Sequence, residues 1–467
     1  MDNAYAAALD ELNQHTNFER SGNYPAGREG LGTARMEQLL AALSSPETHY
    51  PVLHIAGTKG KGSTAHLTAA VLRARGWRVG LYTSPHVICL RERVQIDGRF
   101  ISPADFAAAF SRVRDAAAGL ASRPTYFEML TATAFTAFAT AMVDVAVIEV
   151  GLGGRLDATN VATLPVAASC LTTVSLDHTH ILGDTIAQIA AEKAGILRRG
   201  VPVVMAKQSA AARDVIRDRV RELDCPVIEI GKDILAQPCL SAPHSSLNFF
   251  NLQLAPGVFP RLAERAYEKL PLNLWGGHQW ENAAAAWSLA NLLCESRRAG
   301  EVVREDLVRA WKSLRIPGRF EVVAGNPAVI LDGAHNPASA WALTETLRQY
   351  TRSDAAGRTA NSAPLAVISI SRDKDIAETL RVMLPAFAKV VFTANSSDRG
   401  ATPEELLTAA RRLFPDREAA WECAATPAAA LSHARELAGE NGLIVITGSF
   451  YLVGDLRPAC LRIPEEC

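Results

Sequence analysis

Nine short, almost wholly apolar runs recur along the chain, at 52–56, 79–83, 143–150, 166–174, 201–206, 329–331, 365–370, 390–393 and 443–447, with stretches of helical length between them. Continuous apolar runs of this length read as strands buried on both faces, and intervening helices supply the crossovers that parallel strands require. The expectation is therefore an α/β chain of doubly wound parallel sheets. At 467 residues it exceeds the roughly 250–300 that one core accommodates, so two domains are expected. The break is placed in the segment SLRIPGRFE, where a helix-like stretch at 302–313 ends and Pro317-Gly318 interrupts the pattern before a new strand series begins. This gives domains 1–316 and 317–467. The small, polar segment 353–364 reads as an exposed loop.

Composition narrows the function classes. A formal net charge of −1 argues against general binding to nucleic acid or anionic membranes, and no apolar run is long enough to span a bilayer. The eight cysteines are scattered without a C-x-x-C pair, so neither a zinc knuckle nor a thioredoxin-like site is indicated and reduced thiols are expected. The opening MDNAYAAALDELNQH lacks the basic and apolar regions of a secretory signal. The expected location is cytoplasmic.

Ligands of open parallel sheets bind beyond the carboxyl ends of the strands, so the residues after each strand carry the functional reading. The first strand is followed by GTKGKGST, from Gly57 through Thr58, Gly60, Lys61, Gly62 and Ser63 to Thr64, and then by a helical run. Glycines there let backbone N–H groups approach phosphate oxygens, and the helix N-terminus adds positive potential. The spacing departs from the usual phosphate loop, because Ile55 stands where the first glycine would be and Gly62 separates Lys61 from Ser63. The plainer alternative is a glycine- and lysine-rich loop without a nucleotide, and the placement between strand and helix speaks against it.

The second strand ends in TSPH, with Ser84 at the tip, a potential Mg²⁺ ligand or ordinary turn chemistry. In DVAVIEVGLGGRLDATN, Glu149 interrupts an apolar strand near its end, and the glycine loop behind it carries Arg155 and Asp157. A buried carboxylate requires a partner, either a metal or a basic side chain. The fourth strand runs into SLDHTHILGD, where His178 is either a metal ligand or a structural histidine. In TIAQIAAEKAGIL, Lys193 falls on the apolar stripe of Ile186, Ile189, Ala190, Ala194 and Leu197, which implies a buried ion pair, a snorkelling chain or a functional amine. Asn282, Arg319, Asp332 and His335, from GGHQWENA, PGRFE and LDGAHNP, read singly as turn or cap chemistry and together as a set able to hold a nucleotide across a domain cleft.

Together these motifs resemble the Mur ligase superfamily, and within it the folylpolyglutamate synthase and dihydrofolate synthase branch. The motifs are GTKGKGST, TSPH, YFEMLTATAF, EVGLGGRLDATN, LDHTHILGDT, EKAGI, GGHQWENA, PGRFE, LDGAHNP, DKD at 373–375 and TGSFYLVG, in the family's order over nearly the whole chain. The resemblance implies a phosphate-loop-containing doubly wound domain followed by a smaller, Rossmann-like α/β domain. It implies an ATP-dependent ligase that adds L-glutamate to dihydropteroate, to the γ-carboxyl of folates, or to both, through an acyl phosphate. Gly57 to Ser63 would cradle ATP, with Asn282, Arg319 and Asp332 also contacting it. Ser84, Glu149 and His178 would hold Mg²⁺, and a monovalent cation such as K⁺ is a further expectation. Lys193 would be the family's carbamylated lysine, and Lys61, Lys193 and His178 the catalytic set. Arg155, His335 and Ser449 would contact substrate.

The sequence departs from the family at Lys59, where Asn is usual, and at SRDKD. The rival ligases of peptidoglycan precursors carry a nucleotide-sugar domain ahead of the phosphate loop, and the 56 residues before Gly57 leave no room for it. A phosphate-loop kinase or NTPase explains GTKGKGST and Glu149, but not Lys193 or the second domain. A monomer is expected, with ATP, glutamate and a pterin as its only partners.

Overall fold

The computed structural model describes residues 3–21, 32–239, 247–259, 262, 265–323, 325–352 and 363–461. In the first half, β1 (Val52–Ala56), β2 (Val79–Tyr82), β3 (Val94–Ile96), β4 (Arg99–Phe100), β5 (Val145–Glu149), β6 (Val166–Leu171), β7 (Val203–Met205) and β8 (Val227–Glu229) form one sheet. Its order is β4-β3-β2-β5-β1-β6-β7-β8. All its pairings are parallel except those of β2 with β3 and of β3 with β4. Both faces are covered, as continuous apolar strands require. Leu53, Ile55, Val145 and Val147 pack on the side of the helices Lys61–Ala74 and Gly277–Arg297. Val52, Ala146 and Ile148 face the helices Pro103–Ala117 and Tyr126–Thr140.

A second, antiparallel sheet of β9 (Ile234–Pro238), β10 (Asn248–Leu254) and β11 (Ala266–Leu272) lies in the order β11-β10-β9. Phe250, Leu252, Tyr267 and Leu270 join it to the first core. The sequence reading did not anticipate this element.

After the helix Arg304–Trp311 the chain enters a six-stranded sheet of β12 (Glu321–Val323), β13 (Ala328–Leu331), β14 (Leu365–Ile368), β15 (Lys389–Thr393), β16 (Trp421–Ala424) and β17 (Leu443–Thr447). The order is β12-β13-β17-β14-β15-β16, parallel apart from β12. Alternate residues again feed two cores, Ile330, Ile368 and Phe392 on one face and Leu331, Val367 and Val391 on the other. Trp275, just after β11, inserts into the core of this second sheet, with its ring 4.9 Å from that of Tyr350. The anticipated loop at 353–364 lies almost wholly outside the described residues. No helix among the described residues is long and apolar enough to cross a membrane. Cys170, Cys225, Cys239, Cys294, Cys423 and Cys460 are free thiols, whereas Cys89 is disulfide-bonded, which departs from the expectation of reduced thiols.

Candidate active site

The carboxyl ends of both sheets face one cleft of about 860 Å³. From the first sheet it receives Thr58, Gly60, Lys61 and Gly62 after β1, Ser84 after β2, Glu149 at the end of β5, and His178 after β6. From the second it receives Arg319, His335 after β13 and Ser449 after β17. Of the anticipated residues, Gly57, Ser63, Asn282, Asp332, Arg155 and Lys193 do not form its wall.

The phosphate loop is shaped by its neighbours. Gly57 has φ 151° and packs so closely on Thr172 that a side chain would collide with it. The Thr58 and Lys59 amides donate to the Thr173 carbonyl at 3.0 and 3.1 Å, so those two N–H groups are committed to the protein. Gly60 adopts φ 91° as the cap of the helix Lys61–Ala74. A Cβ there would lie 2.5 Å from Asn282 Oδ1. Asn282 thus braces the loop from behind, accepting from Thr64 Oγ1 at 3.4 Å and donating to Gln279 at 2.9 Å. The amides of Lys61, Gly62 and Ser63 form the first helical turn, whose N–H groups have no acceptor within the helix. They are the natural anion donors here.

Glu149 is 3 % exposed. Its partners are the Ser84 amide, 3.1 Å from Oε2, and Lys61 Nζ, a loose 3.9 Å from Oε1. Burial raises its pKa, opposed by the Lys61 charge and the Ser84 hydrogen bond. His178 lies seven residues past β6 in a left-handed turn, φ 49°, that caps the helix Thr179–Leu182. Burial, reinforced by nearby lysines, lowers its pKa to about 4, so its imidazole is neutral at pH 7 with a lone pair to offer. Glu149 and the neutral His178, with the Ser84 hydroxyl, fit a hard divalent cation. No group of three or more His, Cys, Asp or Glu stands gathered for a metal among the described residues. Such an ion would complete its shell with phosphates and water, as Mg²⁺ does.

On the opposite wall, the Arg319 guanidinium lies 4.5 Å from the centroid of the Phe450 ring. Desolvation of this half-buried group lowers its pKa, while the Asp332 and Glu149 charges raise it. Asp332 acts from behind. Its oxygens accept the Phe320 and Ala334 amides, both at 2.9 Å, which fixes the turns that carry Arg319 and His335. Burial lifts its pKa to about 6. His335 donates from Nδ1 to the Gly333 carbonyl at 2.7 Å, leaving Nε2 as an acceptor. Burial lowers its pKa to about 4. Ser449 Oγ accepts the Tyr451 amide at 3.0 Å and keeps its own proton free to donate.

Two anticipated residues sit differently. Arg155 is off the cleft wall and pairs with Glu192, which lines it, Nη2 to Oε1 at 3.0 Å, while its amide donates to the Glu192 carbonyl at 2.8 Å. It clamps the glycine loop onto the helix Ile186–Ala194, because a long charged chain in a glycine loop finds a carboxylate on the helix packed against that loop. Lys193 is 5 % exposed on that same helix. Gly154 closes over it so tightly that a Cβ would lie 3.1 Å from the Lys193 Cα. Burial, with Lys61 adding positive charge, lowers the Lys193 pKa to about 7.

The sequence reading also missed contributors. Glu19 from the N-terminal segment lines the cleft and forms a two-point pair with Arg93, at 2.8 and 3.1 Å. Its carbonyl accepts Arg399 from the second half at 3.1 Å. Asp177, adjacent to His178, accepts Lys59 Nζ at 3.0 Å. Only Asp177 had a signal available, as a second polar residue in the LDH turn.

Comparison with known proteins places this geometry. The Mur ligase middle domain matches residues 55–290, and the Mur ligase glutamate ligase domain matches residues 318–450. The dihydrofolate synthase/folylpolyglutamate synthase of Bacillus subtilis is 33% identical over 442 residues, covering 92% of this chain and 94% of that one. The Mycobacterium tuberculosis counterpart is 34% identical over 476 residues, covering 95% and 92%. Among solved structures, M. tuberculosis folylpolyglutamate synthase complexed with ADP and AMPPCP superposes with a TM-score of 0.82 at 31% identity, over 99% of both chains. E. coli FolC in complex with DHPP and ADP gives 0.80 at 29% identity, over 97% of both. The chain belongs to the folylpolyglutamate synthase and dihydrofolate synthase family of Mur ligases and is an ATP-dependent amino acid ligase.

Proposed function

We propose that the enzyme uses ATP to join L-glutamate to a pterin-bearing carboxylate, either dihydropteroate, the γ-carboxyl of a folate, or both. One observation carries this reading. A single cleft has a nucleotide-type phosphate loop on one wall and Arg319, His335 and Ser449 on the other. A carboxylate is a poor electrophile and must be activated before an amine attacks it. The ATP γ-phosphoryl group passes to a carboxylate oxygen, breaking its bond to the β-phosphate and releasing ADP. The glutamate nitrogen then bonds to the acyl carbon, loses a proton, and phosphate departs.

The first-turn amides from Lys61 to Ser63 and the Lys61 ammonium hold the phosphates, while Arg319 approaches from the second domain. Ser84, Glu149 and His178 would hold Mg²⁺, which when bound offsets charge on the transferring phosphoryl group. His335 Nε2 and the Ser449 hydroxyl offer one acceptor and one donor for glutamate. Closure of the cleft would exclude water that hydrolyses the acyl phosphate.

The test is ADP release with each pterin acceptor in turn. Turnover should require both acceptor and glutamate. Full ADP release without glutamate would favour a kinase or NTPase instead.

Two further results are expected. Removing Glu149 or His178 should raise the Mg²⁺ concentration needed for half-maximal rate, and the double variant should be less than additive. Magnesium titrations that leave the requirement unchanged would make both residues structural. We also propose the domain boundary at 316/317, with closure about 314–318, because Lys61 lies before that linker and Arg319 and Asp332 after it. X-ray scattering should show contraction when an ATP analogue and a folate bind. Identical profiles would refute closure.

A further inference from the structure

Asp177 joins three separate elements. Its Oδ2 accepts Lys59 Nζ from the phosphate loop at 3.0 Å. The same oxygen accepts Asn336 Nδ2 from the second domain at 3.5 Å. Its Oδ1 accepts the amide of His178 at 3.1 Å, at the left-handed turn that aims the imidazole. Asn336 is itself held, because its Oδ1 accepts the Ser339 amide at 3.0 Å and the Ser339 hydroxyl at 2.9 Å. Lys59 can contribute in only one way, since its amide is committed to Thr173 and the side chain alone is left for the cleft.

We propose that Lys59 and Asp177 are a positioning pair that ties the second domain, through Asn336, to the nucleotide-loaded phosphate loop. A lone Asp177 carboxylate beside the loop would repel incoming phosphates. Lys59 offsets that charge at short range while leaving Asp177 able to accept from Asn336 and the His178 amide. Neutralising Asp177 by other means would lose the ionic acceptor, and with it the strength of the bond that crosses the domains. Lys59 therefore does more than add positive charge to the loop, because its charge is directed at one carboxylate with contacts on both domains. The inference takes from the ligase reading only the identity of the nucleotide.

The test uses the full chain, a non-hydrolysable ATP analogue with Mg²⁺, calorimetry for affinity and X-ray scattering for closure. Lys59→Met and Asp177→Asn should each weaken analogue binding by about 5-fold or more and reduce the contraction, at the lower end of ordinary coupling between sites. The double variant should be no worse than the worse single one. Lys59→Arg should restore both readouts. Additive losses would overturn the proposal, as would tighter analogue binding in Asp177→Asn, since Lys59 would then be a simple phosphate ligand. Should Lys59→Met not fold, Asn336→Ala decides: it should reduce contraction, and unchanged contraction overturns the pair's role across the domains. An enzyme that contracts normally yet joins glutamate to no pterin acceptor would sink the substrate reading and leave the positioning pair intact.

Discussion

Lys61→Ala is expected to lower turnover by about 10²–10³-fold or more at saturating ATP, the usual cost of removing a preorganised charge aimed at a developing anion. Lys61 begins the helix after β1, and its side chain is 18% exposed. Its ammonium stands between the phosphate loop and Glu149, whose pKa burial already raises. Losing Lys61 removes the largest charge opposing that rise, so the magnesium dependence should shift together with turnover. That coupling separates a catalytic loss from simple misfolding, which a thermal melt would reveal independently. Lys61→Arg keeps the charge but replaces a point ammonium with a broad planar fork, and should recover only part of the rate. Near-normal turnover by Lys61→Ala at saturating ATP would remove Lys61 from the phosphate site.

The sequence revealed the parallel framework because strands buried on both faces are uniformly apolar. The bounds of β1 and β17 coincide with the expected runs at 52–56 and 443–447. Strands with one wetter face were invisible to that criterion. In β10, NFFNLQL, and β11, AYEKLPL, polar residues are interspersed with apolar ones, and Pro271 inside β11 weakens a strand signal. The hairpin of β3 and β4 did carry a signal. Asp97-Gly98, with φ 51° and 73°, is the dipeptide that tight antiparallel turns favour.

The cleft wall was legible at strand ends, as with Lys61, Ser84, Glu149 and His335. It was illegible where contacts join distant segments. Glu19 and Arg93 are 74 positions apart, and neither local pattern announces the other. Arg155 was ambiguous because a charged residue in a glycine loop serves equally as a substrate contact or as a clamp, and in the structure it pairs with Glu192.

Lys193 is expected to carry a carbamate in the active enzyme, and Lys193→Ala to lose activity at the acyl-phosphate stage. The simpler alternative was a buried ion pair, but the carboxylates around it are engaged elsewhere. Of the two that act on it, Asp177 pairs with Lys59, and Asp157 accepts the Leu152 and Thr159 amides and the Thr159 hydroxyl. Burial and the Lys61 charge bring the Lys193 pKa down to about 7. The direction matters, because only the neutral amine bonds to CO₂, and it releases one proton as the carbamate forms. Below pH 7 the ammonium predominates and the modification is suppressed.

A carbamate resembles a glutamate carboxylate on a longer stem, and it would turn a buried cation near the magnesium ligands into an anion. Enzyme stripped of CO₂ should therefore lose activity and recover it with bicarbonate, more completely at pH 8 than at pH 6. Short carboxylic acids should partly restore Lys193→Ala by filling the space left. Mass spectrometry that preserves the adduct should find one added CO₂ on the helix Ile186–Ala194. A bare amine in active, bicarbonate-supplied enzyme would overturn the assignment and leave Lys193 as a buried structural amine.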